Sequence, residues 1–370
     1  MRIPSALLLM LALATPARAQ QSFYSHDNYT QYELLEPGSA QFAITYFLTE
    51  RRAGSVFVLN QTRSGSAGSD ISVFDPRTGK PLKFDYLSGE ELTKDGTPGR
   101  FDPAEHYIRA RLAAPVPEGG EGRVKILKTY KDDKSYYVEG DDVVFKRSLG
   151  IARNAIVLPK GYRLVSSNVA AQMFTLPDGR LKISFEHAHG YAADVTIRGR
   201  KATPLPPGSI HSERSFDFTK VLYDFAEGGA VKVTREIVVT VPGETAFVSN
   251  QMSASDVVIV DVDTGKALQQ TGGREGRIAT LQEPISGPNQ SARLRLTGTM
   301  KNRYTVADGQ FSWDARIDEP RAVFLLPAGF DLVSVSVPAT VTTQQDGRVA
   351  LQVFAGAEVT MRVLITAAKR

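Results

Sequence analysis

The chain has 370 residues, of which 42% are hydrophobic and 23% are charged, values that are ordinary for a folded globular protein. Its formal net charge is only +4 and no run of five basic residues occurs, so the charge pattern gives no indication of a nucleic acid partner. Cysteine is absent, which excludes disulfides, zinc-thiolate sites, thiol nucleophiles and the acylated cysteine of a lipoprotein. The length leaves room for two domains, each with its own hydrophobic core.

The chain begins with the features of a secretory signal peptide. Arg2 supplies a positive charge, an apolar run extends from Ala6 to Ala14, and the triplet Ala17-Arg18-Ala19 precedes Gln20. The apolar run is too short for a transmembrane helix, which needs about 20 residues. We therefore predict a signal peptide at residues 1–19, no transmembrane anchor, and a mature protein that is periplasmic or secreted.

The rest of the chain alternates apolar and polar residues with the period of two that is typical of β-strands. The alternation is clear from Phe42 to Leu48, from Leu181 to Phe185 and from Val359 to Ile365. Sustained helical periodicity is missing, and the single helix candidate is a short stretch around Glu90 to Lys94. The sequence therefore predicts an all-β fold.

Short sequence anchors of the first half recur, in the same order, in the second half. The matched pairs are Phe57-Val58-Leu59-Asn60-Gln61 with Phe247-Val248-Ser249-Asn250-Gln251, Asp70-Ile71 with Asp256-Val257, Thr78-Gly79-Lys80 with Thr264-Gly265-Lys266, Arg123 with Arg293, Leu158-Pro159 with Leu326-Pro327, and Asp178-Gly179-Arg180 with Asp346-Gly347-Arg348. The same alternate positions of the matched strands are apolar in both copies. We predict a tandem duplication of one β-sandwich, in which each sheet has one buried face and one wet face.

A proline-rich stretch separates the two copies. Residues 203–209 read Thr-Pro-Leu-Pro-Pro-Gly-Ser, which cannot form a regular ladder and favours an extended linker. The predicted organisation is a β-sandwich domain at 20–202, a linker at 203–209 and a second β-sandwich domain at 210–370.

The copies differ in length between Lys80 and Arg123, where the first copy carries an insertion that includes Leu87 to Arg100. Loops that differ between otherwise equal scaffolds often carry function, and a tolerated surface insertion is the alternative interpretation. We expect the insertion to be solvated and any partner contacts to concentrate on the first copy.

Several turn and strand signals of the first copy together resemble a known domain. They are Val73-x-Asp75-x-x-x-Gly79, Pro115-x-x-Glu118-Gly119, Ile156-x-Leu158-Pro159-x-Gly161-Tyr162 and Asp178-Gly179-Arg180. The pattern resembles the N-terminal β-sandwich domain of M1-family aminopeptidases, a domain shape that ribophorin I-like proteins use twice in tandem. The resemblance covers about residues 30 to 200, and residues 220 to 366 resemble the same domain more weakly. The zinc motif His-Glu-x-x-His and the Gly-x-Met-Glu-Asn loop of those enzymes are missing here, so the resemblance implies a non-catalytic module without the catalytic domain.

Few side chains are spaced in a way that indicates chemistry. Glu186-His187-x-His189 has chelating spacing, because residues i and i+2 of a strand project from one face. His187 and His189 are therefore the metal-ligand candidates, and a solvated turn is the alternative. Asp261-x-Asp263-x-Gly265 resembles the start of a calcium loop but lacks its glutamate, and we interpret it as a hairpin turn. The sequence contains no catalytic serine motif and no phosphate loop, so it predicts neither catalytic residues nor a cofactor.

Aromatic residues cluster at matching positions of the two copies. Tyr136 and Phe145 in the first copy correspond to Tyr304 and Trp313 in the second. Repetition in both copies favours core packing over ligand stacking.

The favoured hypothesis is a non-enzymatic, exported binding or scaffolding protein of the bacterial cell envelope. It would present loops and sheet edges to a protein, peptide or glycan partner. The hypothesis depends on the missing catalytic and cofactor motifs and on the tandem β-sandwich pattern. The alternative is a hydrolase, metal-assisted through His187 and His189, or an accessory β-domain of a separate peptidase.

Overall fold

The computed structural model describes residues 28–63, 67–187, 192–202, 219–225, 229–249, 254–273, 276–287, 289–301, 303–355 and 360–370. We refer to residues 28–202 as the first half and to residues 219–370 as the second half. The predicted signal peptide and the predicted linker lie outside the described residues.

The first half consists of strands and one short helix. Its strands are β1 (Tyr29–Leu34), β2 (Gln41–Glu50), β3 (Phe57–Gln61), β4 (Ala67–Phe74), β5 (Phe84–Ser88), β6 (His106–Arg111), β7 (Gly122–Lys131), β8 (Tyr136–Glu139), β9 (Asp142–Leu149), β10 (Arg153–Val157), β11 (Tyr162–Ser167), β12 (Gln172–Thr175), β13 (Leu181–Glu186) and β14 (Ala193–Lys201). The helix, α1, spans Gly89–Lys94 between β5 and β6. It lies at the position that the sequence predicts for a helix.

The described part of the second half consists of strands. They are β15 (Thr219–Phe225), β16 (Val231–Val239), β17 (Ala246–Ser249), β18 (Ser255–Asp261), β19 (Gln270–Gly273), β20 (Gly276–Thr280), β21 (Ala292–Met300), β22 (Thr305–Ala307), β23 (Gln310–Ile317), β24 (Arg321–Leu325), β25 (Phe330–Val335), β26 (Ala339–Thr343), β27 (Val349–Phe354) and β28 (Met361–Lys369). The prediction of an all-β fold is confirmed. No helix in the described residues is long and apolar enough to cross a membrane.

The strands of each half form three sheets, and the strand order is the same in both halves. In the first half the sheets run β12-β13-β10-β1-β2-β7-β4, β11-β14-β9-β8 and β3-β6-β5. In the second half they run β26-β27-β24-β15-β16-β21-β18, β25-β28-β23-β22 and β17-β20-β19. Among the described strands, none of one half pairs with a strand of the other. The origin of the halves by duplication stays a prediction, which the shared strand order supports.

Each seven-stranded sheet packs against both smaller sheets of its half. In the first half Phe42, Phe145 and Phe185 fill the core with the four-stranded sheet, and a second core forms with the three-stranded sheet around Ile108 and Ile126. The second half has the same two cores. The aromatic residues predicted to be core are buried, namely Tyr136, Phe145, Tyr304 and Trp313.

The expectation that each sheet has one wet face is wrong for the central strands. Every residue of β10 and of β24 is buried. Ala155 and its cross-strand partner Ser184 point away from the aromatic core, and both are fully buried. The run from Ala155 to Leu158 is continuously apolar, which is typical of a strand covered on both faces.

An edge strand of the seven-stranded sheet contains a β-bulge in both halves. The ladder between β4 and β7 shifts register at Asp70, and the ladder between β18 and β21 shifts at Asp256. Both aspartates adopt left-handed backbone angles, with φ of 54° and 58°. Aspartate tolerates this conformation better than most residues, so the repeated Asp-aliphatic pair of the sequence marks a β-bulge.

Candidate functional site

Two tight hairpin turns, one in each half, form the centre of the candidate site. Asp75 accepts hydrogen bonds from the backbone N–H of Arg77 at 2.9 Å and from the hydroxyl of Thr78 at 2.8 Å. Asp261 accepts hydrogen bonds from both the N–H and the hydroxyl of Thr264, the counterpart of Thr78, at 2.9 and 3.1 Å. These bonds close the turns within the chain itself, in agreement with the hairpin interpretation.

Each turn lies against the opposite half of the chain. A Cβ atom placed on Gly79 would lie 3.5 Å from Cβ of Gln290, and one placed on Gly265 would lie 3.2 Å from the backbone of Gly120. Gly79 corresponds to Gly265 in the sequence repeat, and Gly120 corresponds to Gln290. The two contacts are therefore equivalent, as in a dimer with a twofold axis, although both partners belong to one chain.

Backbone hydrogen bonds accompany both contacts. The N–H of Ser291 donates to the carbonyl oxygen of Pro76 at 2.6 Å, and the N–H of Glu121 donates to the carbonyl oxygen of Asp263 at 3.4 Å. Glu121 and Ser291 are again corresponding positions. We call this arrangement, in which each half places the same turn against the other half, the quasi-twofold contact. It involves the main chain as well as side chains.

A buried carboxylate joins the halves at the same place. Oε1 of Glu121 lies 2.6 Å from Nε of Arg51, and Oε2 lies 2.5 Å from Nη1 of Arg293. Arg295 lies 3.6 Å from Glu121 and pairs with Glu236 at 2.7 Å. Arg51 and Glu121 belong to the first half and the other three residues to the second. Because a buried charge is costly unless it is paired, this network favours one relative placement of the halves.

Further side chains extend the contact. Nζ of Lys125 donates to Oδ1 of Asn289 at 2.8 Å, and Arg77 lies 3.1 Å from Glu283. At a separate place Arg321 forms a buried ion pair with Glu186. Nothing in the sequence pattern predicted these contacts, because the residues become neighbours only when the halves associate.

A cleft of about 290 Å³ opens at the contact between the halves. One wall is largely apolar and consists of residues 112–117. The two hairpin turns form the other side, with Arg77 from the first half and with Asp263 and Lys266 from the second. Arg123 also lines the cleft. The site therefore combines an apolar surface with charged groups of both signs.

Asp263 is the carboxylate of the cleft with unusual surroundings. Its Oδ1 atom is covered and accepts no hydrogen bond. Burial raises the pKa of Asp263 to about 6; Arg123 and Arg293 oppose the rise, whereas other carboxylates add to it. The sequence placed Asp263 in a turn but gave no sign that the turn is buried against the other half.

The predicted metal ligands are only partly within the described chain. Nε2 of His187 lies 2.8 Å from the carbonyl oxygen of Ile151, so this nitrogen carries a proton and donates it. His189 lies outside the described residues. In the part of the chain that the structure describes, no group of three or more His, Asp and Glu side chains could hold a metal ion. A metal site at His187 and His189 stays a prediction.

The insertion of the first half contains a regular helix with one buried side chain. Ser88 and Glu91 form a capping box at the start of α1, and Leu92 is fully buried. The ring of Phe101 packs edge-on against Tyr107, with centroids 5.4 Å apart. Most residues from Leu87 to Arg100 are exposed, as expected for a solvated insertion, and Leu92 is its one buried aliphatic side chain among the described residues.

No model of a known protein family matches the chain, and no curated protein is significantly similar to it. The resemblance to the N-terminal domain of M1-family aminopeptidases therefore stays a prediction from the motifs that carry it.

Proposed function

We propose that the protein is a non-enzymatic binding or scaffolding protein, exported to the bacterial cell envelope, and that the cleft between its halves holds part of a protein, peptide or glycan partner. The observation that carries the proposal is the cleft itself. It lies between two packed units and combines an apolar wall with a few charged groups, as binding sites commonly do.

The size of the cleft supports a large partner that inserts only a small part of itself. A volume of about 290 Å³ lies just below the range of about 300–1,000 Å³ that ligand sites span. Such a cleft accommodates a side chain, a chain end or one sugar ring. The remainder of the partner would lie on exposed residues at its mouth, such as Ala113, Ala114 and Lys266.

The rigidity of the lining also supports a binding role. The turns are closed by the side chains of Asp75 and Asp261, and the halves are held together by Glu121. A site whose walls are fixed before binding loses little conformational freedom when the partner enters.

Blocking the cleft tests the proposal. Ala114 is an exposed residue of the apolar wall, so Ala114→Arg would fill the cleft without disturbing a buried side chain. Ala104→Arg is the matched control, because Ala104 is exposed and does not line the cleft. The probes are arrayed peptides and cell-wall glycan fragments. We expect the unaltered protein to bind members of one class, A114R to weaken that binding about tenfold or more, and A104R to leave it unchanged.

Two results would count against the proposal. Equal binding by A114R and the unaltered protein would place the site elsewhere, and binding to no member of either array would remove the support for a binding protein. Metal analysis separates the hydrolase alternative: stoichiometric zinc that is lost when His187 and His189 are both changed to Ala would favour it.

A further inference from the structure

The contact between the halves contains a group, Asp263, that can change its charge near neutral pH. Asp263 lies on the turn of the second half that presses against the loop before β7. Its backbone carbonyl oxygen accepts the N–H of Glu121, and Gly265, two residues further on, approaches Gly119 and Gly120. The backbone of Asp263 is thus part of the contact itself, and its side chain lines the cleft beside it.

The surroundings of Asp263 satisfy a negative charge only in part. Oδ1 is covered and accepts no hydrogen bond. Asp263 faces Arg123 on β7 and Arg293 on β21, which favour its ionised form. It also faces Glu121 before β7 and Asp261 at the end of β18, which oppose it.

The neighbouring charges are largely committed to other partners. Arg293 pairs with Glu121 at 2.5 Å, and Asp261 is held by Thr264. The remaining ionisable groups that line the cleft are Asp75, Arg77 and Lys266. Ionisation of Asp263 therefore adds a negative charge to a carboxylate whose Oδ1 atom is covered and accepts no hydrogen bond.

We propose that Asp263 makes the contact between the two halves responsive to pH, so that the contact is tightest in acid and is loosened when Asp263 ionises. The corresponding turn of the first half carries Arg77 at this position, which does not titrate in the relevant range. Only one of the two quasi-equivalent contacts therefore responds.

The direction follows from proton linkage. The pKa of Asp263 is about 6 in the folded protein and 3.8 for an ordinary aspartate, so the folded protein binds the proton more tightly than the unfolded chain. The stabilisation is complete below pH 4, is lost as the pH rises from about 4 to 6, and stays lost above that. The shift corresponds to a roughly 100-fold change in the unfolding equilibrium constant.

The test uses the full chain and two readouts. Unfolding is measured between pH 4 and 8 for the unaltered protein, for Asp263→Asn, and for Asp133→Asn, whose aspartate is exposed. We expect D263N to remove a pH-dependent loss of roughly 100-fold, and D133N to retain it. Hydrogen exchange, corrected for the chemical exchange rate, should show the Glu121 amide better protected at pH 5 than at pH 7.5 in the unaltered protein, and equally protected at both in D263N.

The local readout identifies the contact as the responsive element. The Ser291 amide, which lies in the other quasi-equivalent contact, should change less with pH. Parallel pH profiles for D263N and the unaltered protein, or a pH response of Glu121 that survives in D263N, would overturn the proposal. If D263N does not fold, Asp263→Ala provides the same comparison. The outcome is independent of the binding experiment, because no ligand is present.

Discussion

Glu121 and Arg293 form an ion pair across the two halves, with 2.5 Å between Oε2 and Nη1 and side-chain exposures of only 5% and 2%. Removing the carboxylate would leave buried guanidinium groups without their partner. We expect Glu121→Ala to lower the free energy of unfolding by about 3 to 5 kcal/mol, as measured by chemical denaturation. Glu118→Ala removes an exposed carboxylate of the same loop and should change it by less than about 0.5 kcal/mol. Equal stability of the two variants would mean that the pair does not hold the halves together.

The repeated Asp-Gly-Arg motif predicts equal effects in the two halves. Arg180 contacts Asp178 of its own turn at 2.6 Å and Glu33 of β1 at 2.8 Å. Arg348 makes the same contacts with Asp346 and Asp224 at 2.8 and 2.7 Å. Because these pairs are partly exposed and screened, we expect Arg180→Ala and Arg348→Ala each to lower the free energy of unfolding by about 1 kcal/mol. A loss in one half only would contradict an equivalent role.

The ionisation of Lys128 makes the stability of the protein depend on pH in the alkaline range. Nζ of Lys128 donates to Oδ1 of Asn60 at 2.7 Å, and burial, with a smaller contribution from Arg147, lowers the pKa of Lys128 to about 8. The folded protein therefore releases this proton before the unfolded chain does, and stability rises between about pH 8 and 10.5. The free energy of unfolding of the unaltered protein, measured relative to that of Lys128→Met, should increase by up to about 3 kcal/mol over that interval.

Comparing the two proteins at each pH removes the titration of other groups from this measurement. Loss of the hydrogen bond to Asn60 shifts the stability of K128M by a constant amount. Lys131→Met is the control, because Lys131 is an exposed lysine of the same strand. A constant difference between K128M and the unaltered protein from pH 8 to 10.5 would show that Lys128 is not responsible.

The insertion should unfold locally when its one buried aliphatic side chain is shortened. Leu92 is fully buried, and Leu→Ala changes at such positions cost about 2 to 5 kcal/mol. We expect Leu92→Ala to weaken the hydrogen-exchange protection of the Asp95 amide, which donates to the carbonyl oxygen of Glu91. Glu90→Ala changes an exposed residue of the same helix and should have little effect. Unchanged protection in L92A would imply that α1 does not depend on its core.

Sequence periodicity predicted the all-β fold because the long strands of both halves carry apolar residues at alternate positions, as in β2 and β7. Register was less predictable. The sequence match pairs Phe57 with Phe247, but the structure places Phe247 opposite Ala279 just as it places Val58 opposite Ala110. A shift of one residue inverts the faces of a strand, so the inward residue is Val58 in one half and Phe247 in the other.

The candidate site was less predictable still. Asp75 and Asp263 were both recognised as turn residues, because their local spacing is enough to define a hairpin. Their burial depends on contacts with residues far away in the chain, such as Gln290 and Glu121. Local patterns carry no information about which surfaces of two similar halves meet.

The contacts between the halves predict how the protein behaves after it is cut. The proline-rich sequence at 203–209 is expected to be the preferred site of limited proteolysis, which would leave two folded fragments of similar size. Because Glu121, Lys125 and Arg321 bond across the halves, we now expect the fragments to elute together in size-exclusion chromatography under native conditions and to separate in denaturant. The same cut in the Glu121→Ala variant should release a larger free fraction. Fragments that separate at once in native buffer would show that the quasi-twofold contact depends on the linker and has little affinity of its own.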